Sequence, residues 1–436
     1  MREGATLSDD VVPTGQRFSA AATGRPRVLV IGGKQQHVRK ARELGLDVVY
    51  AQFPDEYDRG HWPYVDQALL LDYGDIDRLL PLARALHEAH PFQTAVSLFE
   101  LGLLPAARIN EALGLAGESV GIVELLLDKW RMRQHLAARN ISPVASAVGR
   151  STQDIRDFVQ AHGLPIVVKP IRESGSLGVF RLHDHADVDM VVKRFRSLDD
   201  GHWTAKDLSS ADSFDEFLME EFLDGPEVSV ETLSYDDRHV VVAVTDKEIG
   251  DPGVFVEIGH SQPSRYPAET LREVARLVTD FLDAVGLHNG PAHTEVKLTS
   301  RGPRIVESHN RVAGDRINEV TEVAYGVDLE RHALAASFGV VEPLTASPEP
   351  RGGAAIRFLT PEPGRVVEVT GVDAVRADPA LVDLQLRVGP GDEVPPLTWN
   401  EDKVGNVIAR GATATEAIAN CRRLVSAIHV RTEPFA

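Results

Sequence analysis

The stretch "RIVESHNRVAGDR", Arg304–Arg316, decides how this chain is read. Two β-branched residues, Ile305 and Val306, run into Glu307, and His309, Asn310 and Arg311 come directly after. Strand alternation puts Glu307, His309 and Arg311 on one face. Facing a core, an acid and a guanidinium would need partners; facing a cleft, they suit a metal and a phosphate. Just upstream, "AHTEVKLT" and the turn "SRGP" make this stretch the second arm of a hairpin. The connection between Glu295 and Glu307 centres near Arg301, and an odd length sets the two acids opposite each other on one side of the ladder. Directly opposed carboxylates cost a few tenths to about 1 kcal/mol, which a cation between them relieves. Oxygen-only ligands favour Mg²⁺ or Mn²⁺. On their own, the acids would read first as a solvated face, each paired with a neighbour such as Lys297 or Arg311.

Working outward, Lys169 closes the apolar strand "PIVVKP", where a lysine commonly snorkels. Five residues on, "SGSLG" (Ser174, Gly175, Ser176, Leu177, Gly178) is a loop able to aim backbone N–H groups and hydroxyls at phosphate oxygens. Next, "MEEFLDGPEVSVE" gives a strand, a turn at Gly225-Pro226 and another strand. Glu220, Glu221, Phe222 and Leu223 lie before the turn and Glu227 after it. An extended linker can hydrogen-bond a purine edge, and a carboxylate beyond it can accept from ribose hydroxyls; in isolation the segment is an acidic surface hairpin. "HVVVAVTDKEI" reads as the antiparallel neighbour of that second strand. "AETLREVARLVTDFLDAVGL" reads as an amphipathic helix stopped by Gly286. "VGIVELLLDKWRMRQHLAARN", with Lys129 amid mixed charges, reads as one helical stretch.

At the N-terminal end, "RVLVIGG", "DVVYA", "QALLLDYGD" and "TAVSLF" are strands alternating with helical segments, which predicts a parallel sheet covered on both faces. Gly32-Gly33 lacks the G-x-G-x-x-G dinucleotide pattern and reads as a tight strand-to-helix turn. The fold class is therefore α/β and α+β multidomain. A disordered tail is expected at 1–24, a parallel α/β unit at 25–119, a central α+β unit at 120–339, and a C-terminal α+β unit at 340–436 behind the linker "VVEPLTASPEPRGG".

With 436 residues, several domains are expected. Hydrophobic and charged shares of 43% and 25% are those of a soluble globular protein. The net charge of −19, from 65 acids against 46 Lys plus Arg, argues against nucleic acid and anionic lipid as partners. Cys421 is the sole cysteine, so no disulfide framework forms within the chain and a reducing, cytoplasmic setting is expected. The N-terminal stretch lacks a continuous apolar run of the signal-peptide kind, and no segment has the length of a membrane span.

In their order and spacing these segments resemble the ATP-grasp superfamily over roughly Val120 to Gly339, with the preceding α/β unit matching its usual N-terminal domain. The resemblance implies ATP as cosubstrate, with Lys129 and Lys169 on its phosphates and "SGSLG" covering them. It implies Glu220 to Leu223 on adenine, Glu227 on ribose, Glu295 and Glu307 on Mg²⁺, and Arg311 on a reacting acyl phosphate. "GPAHTEVKL" and "VES…R…AGDRI" are most similar to the L-amino acid ligases that make dipeptides, including those of antibiotic pathways. Those ligases carry a glutamate and a histidine three residues apart in the amino-acid pocket, a spacing found in "FVEIGHSQP" as Glu257 and His260. The tail "GAAIRFLTPEPGRVVEV" resembles their final domain. Many relatives, biotin carboxylase among them, have asparagine two places after the second glutamate. Here His309 stands there and Asn310 comes one place later, leaving open which of the two approaches a second metal.

The implied reaction passes the γ-phosphoryl of ATP to a carboxylate and lets an amine displace phosphate, with Glu257 and His260 binding and deprotonating the amine. Small-molecule substrates are implied, and relatives are commonly homodimers. A γ-glutamyl-type or other amide ligase, a biotin-carboxylase-like enzyme that phosphorylates bicarbonate, and an inactive nucleotide-binding protein share the same site residues and stay open at this stage.

Overall fold

The computed structural model describes residues 24–172, 175–199, 216–250, 256–335 and 338–435. Most of the expected N-terminal tail and Ser174 lie outside them. The first unit is built from β1 (Arg27–Ile31), α1 (Gln35–Glu43), β2 (Asp47–Gln52), β3 (Gln67–Leu70), α2 (Ile76–Ala89), β4 (Thr94–Val96) and α3 (Glu100–Leu113). Its sheet is parallel, ordered β3-β2-β1-β4, as the alternation of strands and helices predicts. One face packs Leu29 and Ile31 against Tyr73, Phe92 and Ile109. The other face packs Val28, Val30 and Tyr50 in one cluster with Val320, Tyr325, Leu334 and Ile356, so the first unit shares a core with the central and C-terminal units.

The stretch read as one helix is two: α4 (Val120–Leu127) and α5 (Lys129–Ala138). Asp128 has extended backbone and its side chain accepts from Arg131 N–H, ending one helix and capping the next. Lys129 thereby becomes the first residue of α5, buried at 5% exposure. A small antiparallel sheet, β5-β8-β6-β7, is formed by β5 (Ser146–Gly149), β6 (Ile166–Pro170), β7 (Phe180–Leu182) and β8 (Phe217–Glu221). It is covered by α6 (Thr152–His162) and α7 (Asp187–Asp199), with Ile155, Phe158, Val168 and Val188 in its core.

Opposite this lid stands a second, eight-stranded sheet, ordered β13-β12-β9-β10-β11-β14-β18-β16. Its strands are β9 (Glu227–Tyr235), β10 (Arg238–Ile249), β11 (Glu257–Gln262), β12 (Gly290–Thr299), β13 (Gly302–His309), β14 (Gly353–Phe358), β16 (Leu381–Leu386) and β18 (Gly405–Gly411). β8 and β9, read as two strands about a Gly-Pro turn, thus belong to different sheets. Three helices accompany that sheet's strands: α8 (Ala268–Val285), α9 (Ile317–Tyr325) and α10 (Leu329–Ala335). As predicted, α8 ends at Gly286, in the left-handed conformation.

The C-terminal segment is less separate than its linker suggests. β14 pairs with β11 and extends the central sheet. The remainder, β15 (Gly364–Thr370), α11 (Val372–Arg376), β17 (Glu393–Val394), α12 (Ala414–Ser426) and β19 (His429–Glu433), includes a three-stranded sheet, β17-β15-β19.

Two irregularities position the site. β12 and β13 are joined by a two-residue turn, Ser300-Arg301, not by the odd connection expected. Val296 pairs with Ile305 but Glu295 pairs with Glu307, so Val306 is an extra residue bulged from the ladder. The bulge restores the facing pair of acids that an even turn alone would have lost. In the same way Glu248 pairs with Gly259 and Ile249 with Glu257, leaving Ile258 as the extra residue of β11. Glu257 is thereby brought to the face that carries His260 and Lys247.

Candidate active site

A cleft opens between the lid and the large sheet. Lys129, Lys169, Ser176, Glu220 to Leu223, Glu227, Glu257, Glu295, Lys297 and Glu307 all line it. Residues scattered across more than 170 positions of sequence are therefore collected at one place.

Glu295 and Glu307 sit opposite each other on its floor. Glu307 Oε2 is 3.1 Å from Lys129 Nζ, and its Oε1 is 3.5 Å from His309 Nε2. Burial opposes ionisation of Glu307, but Lys129, His309 and Lys169 outweigh it and hold the carboxyl well below the usual range. Glu295 contacts Lys247 closely and lies 3.5 Å from His293 Nε2. Its carboxyl is also held down, burial and the acids Glu227 and Glu307 working against Lys247 and His293. Both acids are therefore anionic, and as strand partners they form an all-oxygen donor pair suited to a hard divalent cation.

Lys247, which no sequence motif marks, is the counter-charge of the site. Its buried Nζ lies 2.7 Å from Glu227 and 3.3 Å from Glu257, besides its contact with Glu295. Oxygens of Glu227, Glu257 and Glu295 come within 4.8 Å of one another, so these three form a second carboxylate group that shares Glu295 with the Glu295–Glu307 pair. Glu227, expected on a ribose, is bound by Lys247 and lies 3.4 Å from Lys297.

Under the lid, Lys169 Nζ lies 2.7 Å from Glu220 Oε2, and Arg133 of α5 closes on Glu220 Oε1. Arg133 also donates to the carbonyls of Ile305 and Val306, 2.6 and 3.0 Å away, which ties the lid to the bulge. Burial raises the Glu220 pKa, while the two cations overcome it and hold the carboxyl down at about 2. The Glu220 side chain thus anchors Lys169. Glu221 is tied to Ala145 N–H and Arg301, and the Arg181 guanidinium lies 3.6 Å from the Phe222 ring centre. Phe222 and Leu223 are the apolar residues that this linker contributes to the cleft lining. Gly175, Ser176 and Gly178 of the lid loop all have positive φ, and Gly175 C=O accepts from Asn400 N–H at 3.3 Å.

Arg311 lies in the loop after β13, which ends at His309. Its Nη2 is 2.8 Å from Glu100 Oε2, at the start of α3. Glu100, a lone acid in "LFELGLL", carries no signal in the sequence; it is buried between Arg311 and His309. Of the two candidates beside Glu307, His309 is the one whose ring adjoins its carboxylate. Asn310 Oδ1 is buried without a hydrogen-bond partner. On the far side of the cleft, Asn400 Oδ1 accepts from Glu257 N–H at 3.3 Å, and Glu257 Oε2 is buried without a partner. His260 Nε2 is 3.1 Å from Asp315 Oδ2.

Comparison with known proteins bears on the family and the fold. Models of an ATP-grasp N-terminal domain, an ATP-grasp domain and the L-amino acid ligase C-terminal domain 2 match residues 38–117, 162–319 and 357–433. The chain is 25% identical to the uncharacterized protein y4rH of Sinorhizobium fredii, over 92% of this chain and 81% of that one. It is 27% identical to alanine–anticapsin ligase of Bacillus subtilis over 54% of this chain, and spans about half, 52%, of that ligase's length. The crystal structure of an L-amino acid ligase from Bacillus licheniformis superposes with a TM-score of 0.78 at 21% identity, covering 94% of this chain and 99% of that one. Among the described residues no helix is long and apolar enough to cross a membrane. The chain belongs to the ATP-grasp family, whose two domain models together match more than half of it, and it carries the L-amino acid ligase C-terminal domain 2 at residues 357–433.

Proposed function

We propose that this protein joins a carboxylate to an amine at the expense of ATP, making an amide of the dipeptide kind. The observation that carries this reading is the opposed pair Glu295 and Glu307 on the floor of a cleft that also collects Lys129 and Lys169. Mg²⁺ or Mn²⁺ held by the two glutamates would neutralise charge on the nucleotide phosphates. The chain's own residues then position and stabilise. Lys129 and Lys169 sit where phosphate oxygens enter the cleft, each released from its glutamate as phosphate replaces it. The lid loop covers the phosphates, and the Glu221–Leu223 backbone and Phe222 hold the base. Arg311, kept in place by Glu100, faces the charge that develops on the activated carboxylate. An acyl phosphate forms, the amine attacks it and phosphate leaves. No protein nucleophile is needed, since the anhydride itself carries the activation.

Amino acids as substrates, and a place in specialised metabolism, rest on the C-terminal domain match and the ligase relatives. The test is phosphate release from ATP and Mg²⁺, first with pooled L-amino acids and separately with bicarbonate, with mass analysis of the products. Stimulation by amino acids with an amide product supports the proposal. Stimulation by bicarbonate alone moves the protein to the carboxylases, and no stimulation removes the ligase reading.

A further inference from the structure

Val306, the bulged residue just ahead of Glu307, lies on β13, the edge strand of the eight-stranded sheet. An edge strand has no neighbouring strand to satisfy its outer peptide groups, and a bulge leaves a further residue unpaired. Side chains do that work here. Arg133 donates from Nη1 to the Ile305 carbonyl at 2.6 Å and from Nη2 to the Val306 carbonyl at 3.0 Å, while its Nε closes on Glu220 Oε1. Ser142 Oγ accepts from the Ile305 N–H at 2.7 Å. Arg133 and Ser142 are 3% and 5% exposed, and in so enclosed a place an unmet peptide group is costly. Ser142 makes its contact from left-handed backbone, φ +47°, a conformation that favours glycine. Such strain persists where the surroundings over-determine it.

Lys129 precedes Arg133 by four residues on α5, so the two share one face of that helix. Lys129 Nζ is 3.1 Å from the Glu307 carboxylate, and Arg133 holds the two carbonyls that lead into Glu307. The contacts differ in permanence. In the reaction proposed above, Lys129 and Lys169 each leave a glutamate for phosphate. Arg133 is buried and takes no part in the cleft lining, so phosphate does not compete for it. When Lys169 departs, Arg133 also remains as the counter-charge of Glu220.

Resting on the reading of Glu295 and Glu307 as the cation ligands, we propose that Arg133 is the positioning residue of the cation site. Its planar fork locks the Val306 bulge and keeps Glu307 opposite Glu295 after Lys129 has moved to phosphate. Ser142 shares the task at the Ile305 N–H.

Arg133→Lys keeps a positive charge for Glu220 but loses the fork that spans both carbonyls. Mn²⁺ affinity of the full chain is read by electron paramagnetic resonance without nucleotide. Affinity for a non-hydrolysable ATP analogue is read by titration without metal. Arg133→Lys is expected to weaken Mn²⁺ binding on the order of 10-fold or more, with nucleotide affinity within a few-fold of wild type. Ser142→Gly, the second variant should Arg133→Lys fail to fold, relieves the left-handed backbone and removes the hydroxyl. Its urea midpoint is expected near that of wild type, with Mn²⁺ binding several-fold weaker. Glu307→Gln is measured beside them. If it weakens Mn²⁺ binding and the other two variants do not, the inference falls and the reading of the acid pair stands. Equal losses of Mn²⁺ affinity, nucleotide affinity and stability in Arg133→Lys and Ser142→Gly also overturn it, since they mark a merely structural role. Should wild type and Glu307→Gln bind Mn²⁺ alike, the reading of the acid pair fails and the inference with it.

Discussion

Two neighbouring hairpins solve opposite electrostatic problems with the same backbone device. In β12–β13 the extra residue Val306 sets two acids, Glu295 and Glu307, face to face. In β10–β11 the extra residue Ile258 sets an acid, Glu257, beside a base, Lys247. The first pair repels and is stable only through cations brought from elsewhere, Lys129 from α5 and Lys247 from β10. The second supplies one of those cations. The hairpins are therefore a single charge-balanced unit, and a carboxylate cluster of this density is tolerated because Lys247 stands at its centre.

Breaking that centre should have the largest consequence. Lys247→Met leaves three carboxylates, Glu257 buried and Glu227 and Glu295 half-buried, facing one another and is expected to cost about 3–5 kcal/mol in urea unfolding. Added Mg²⁺ should stabilise this variant more than the wild type, because the cation then has a vacancy to fill. A variant as stable as wild type would show that the two hairpins are balanced independently.

A comparable effect is expected under the lid, on the acid side of neutrality. Glu220 has its folded pKa lowered from 4.5 to about 2, so its contribution is complete above the unfolded value and lost as pH falls from 4.5 through 2. The shift corresponds to about 3 kcal/mol. Urea midpoints measured across this window should fall, and Glu220→Gln should flatten that limb.

Within the first hairpin, Glu307→Gln removes one charge and keeps the shape. ATP-dependent phosphate release should drop on the order of 100-fold or more, while the fold survives. Undiminished release would assign the cation site to Glu227, Glu257 and Glu295 instead. The smallest effect is a control outside both hairpins. Thr413 caps α12 by accepting from Glu416 N–H, and Thr413→Ala should cost about 1 kcal/mol of stability with phosphate release unchanged.

Much of this unit can be read from sequence because it depends on local pattern. The alternation of the first unit, the amphipathic period of α8 and the glutamates of the β12–β13 hairpin are all written within short windows. The bulges are not, since strict two-residue alternation assigns Glu257 and His260 to opposite faces and nothing in "FVEIGHSQP" announces the extra residue. Lys247 escapes such a reading because a lysine inside "VTDKEI" gains meaning only from acids on three other strands. Arg133 meets Val306 across 173 positions, and Glu100 meets Arg311 across 211. No window spans such distances. The break at Asp128 had a legible cue, an aspartate able to cap, but a continuous run of helix formers hid it. The C-terminal segment looked detached because its linker is conspicuous, whereas the β11–β14 pairing that joins it leaves no mark in composition.

The apolar seam where Val28, Val30 and Tyr50 meet Val320 and Ile356 bears on how such proteins can be recombined. A chimera that swaps the first unit at a cut near residue 119 inherits half of a jointly packed interior, shaped to side chains that the donor lacks. Substrate range would therefore be traded more safely by exchanging loops at the rim of the cleft than by shuffling whole modules.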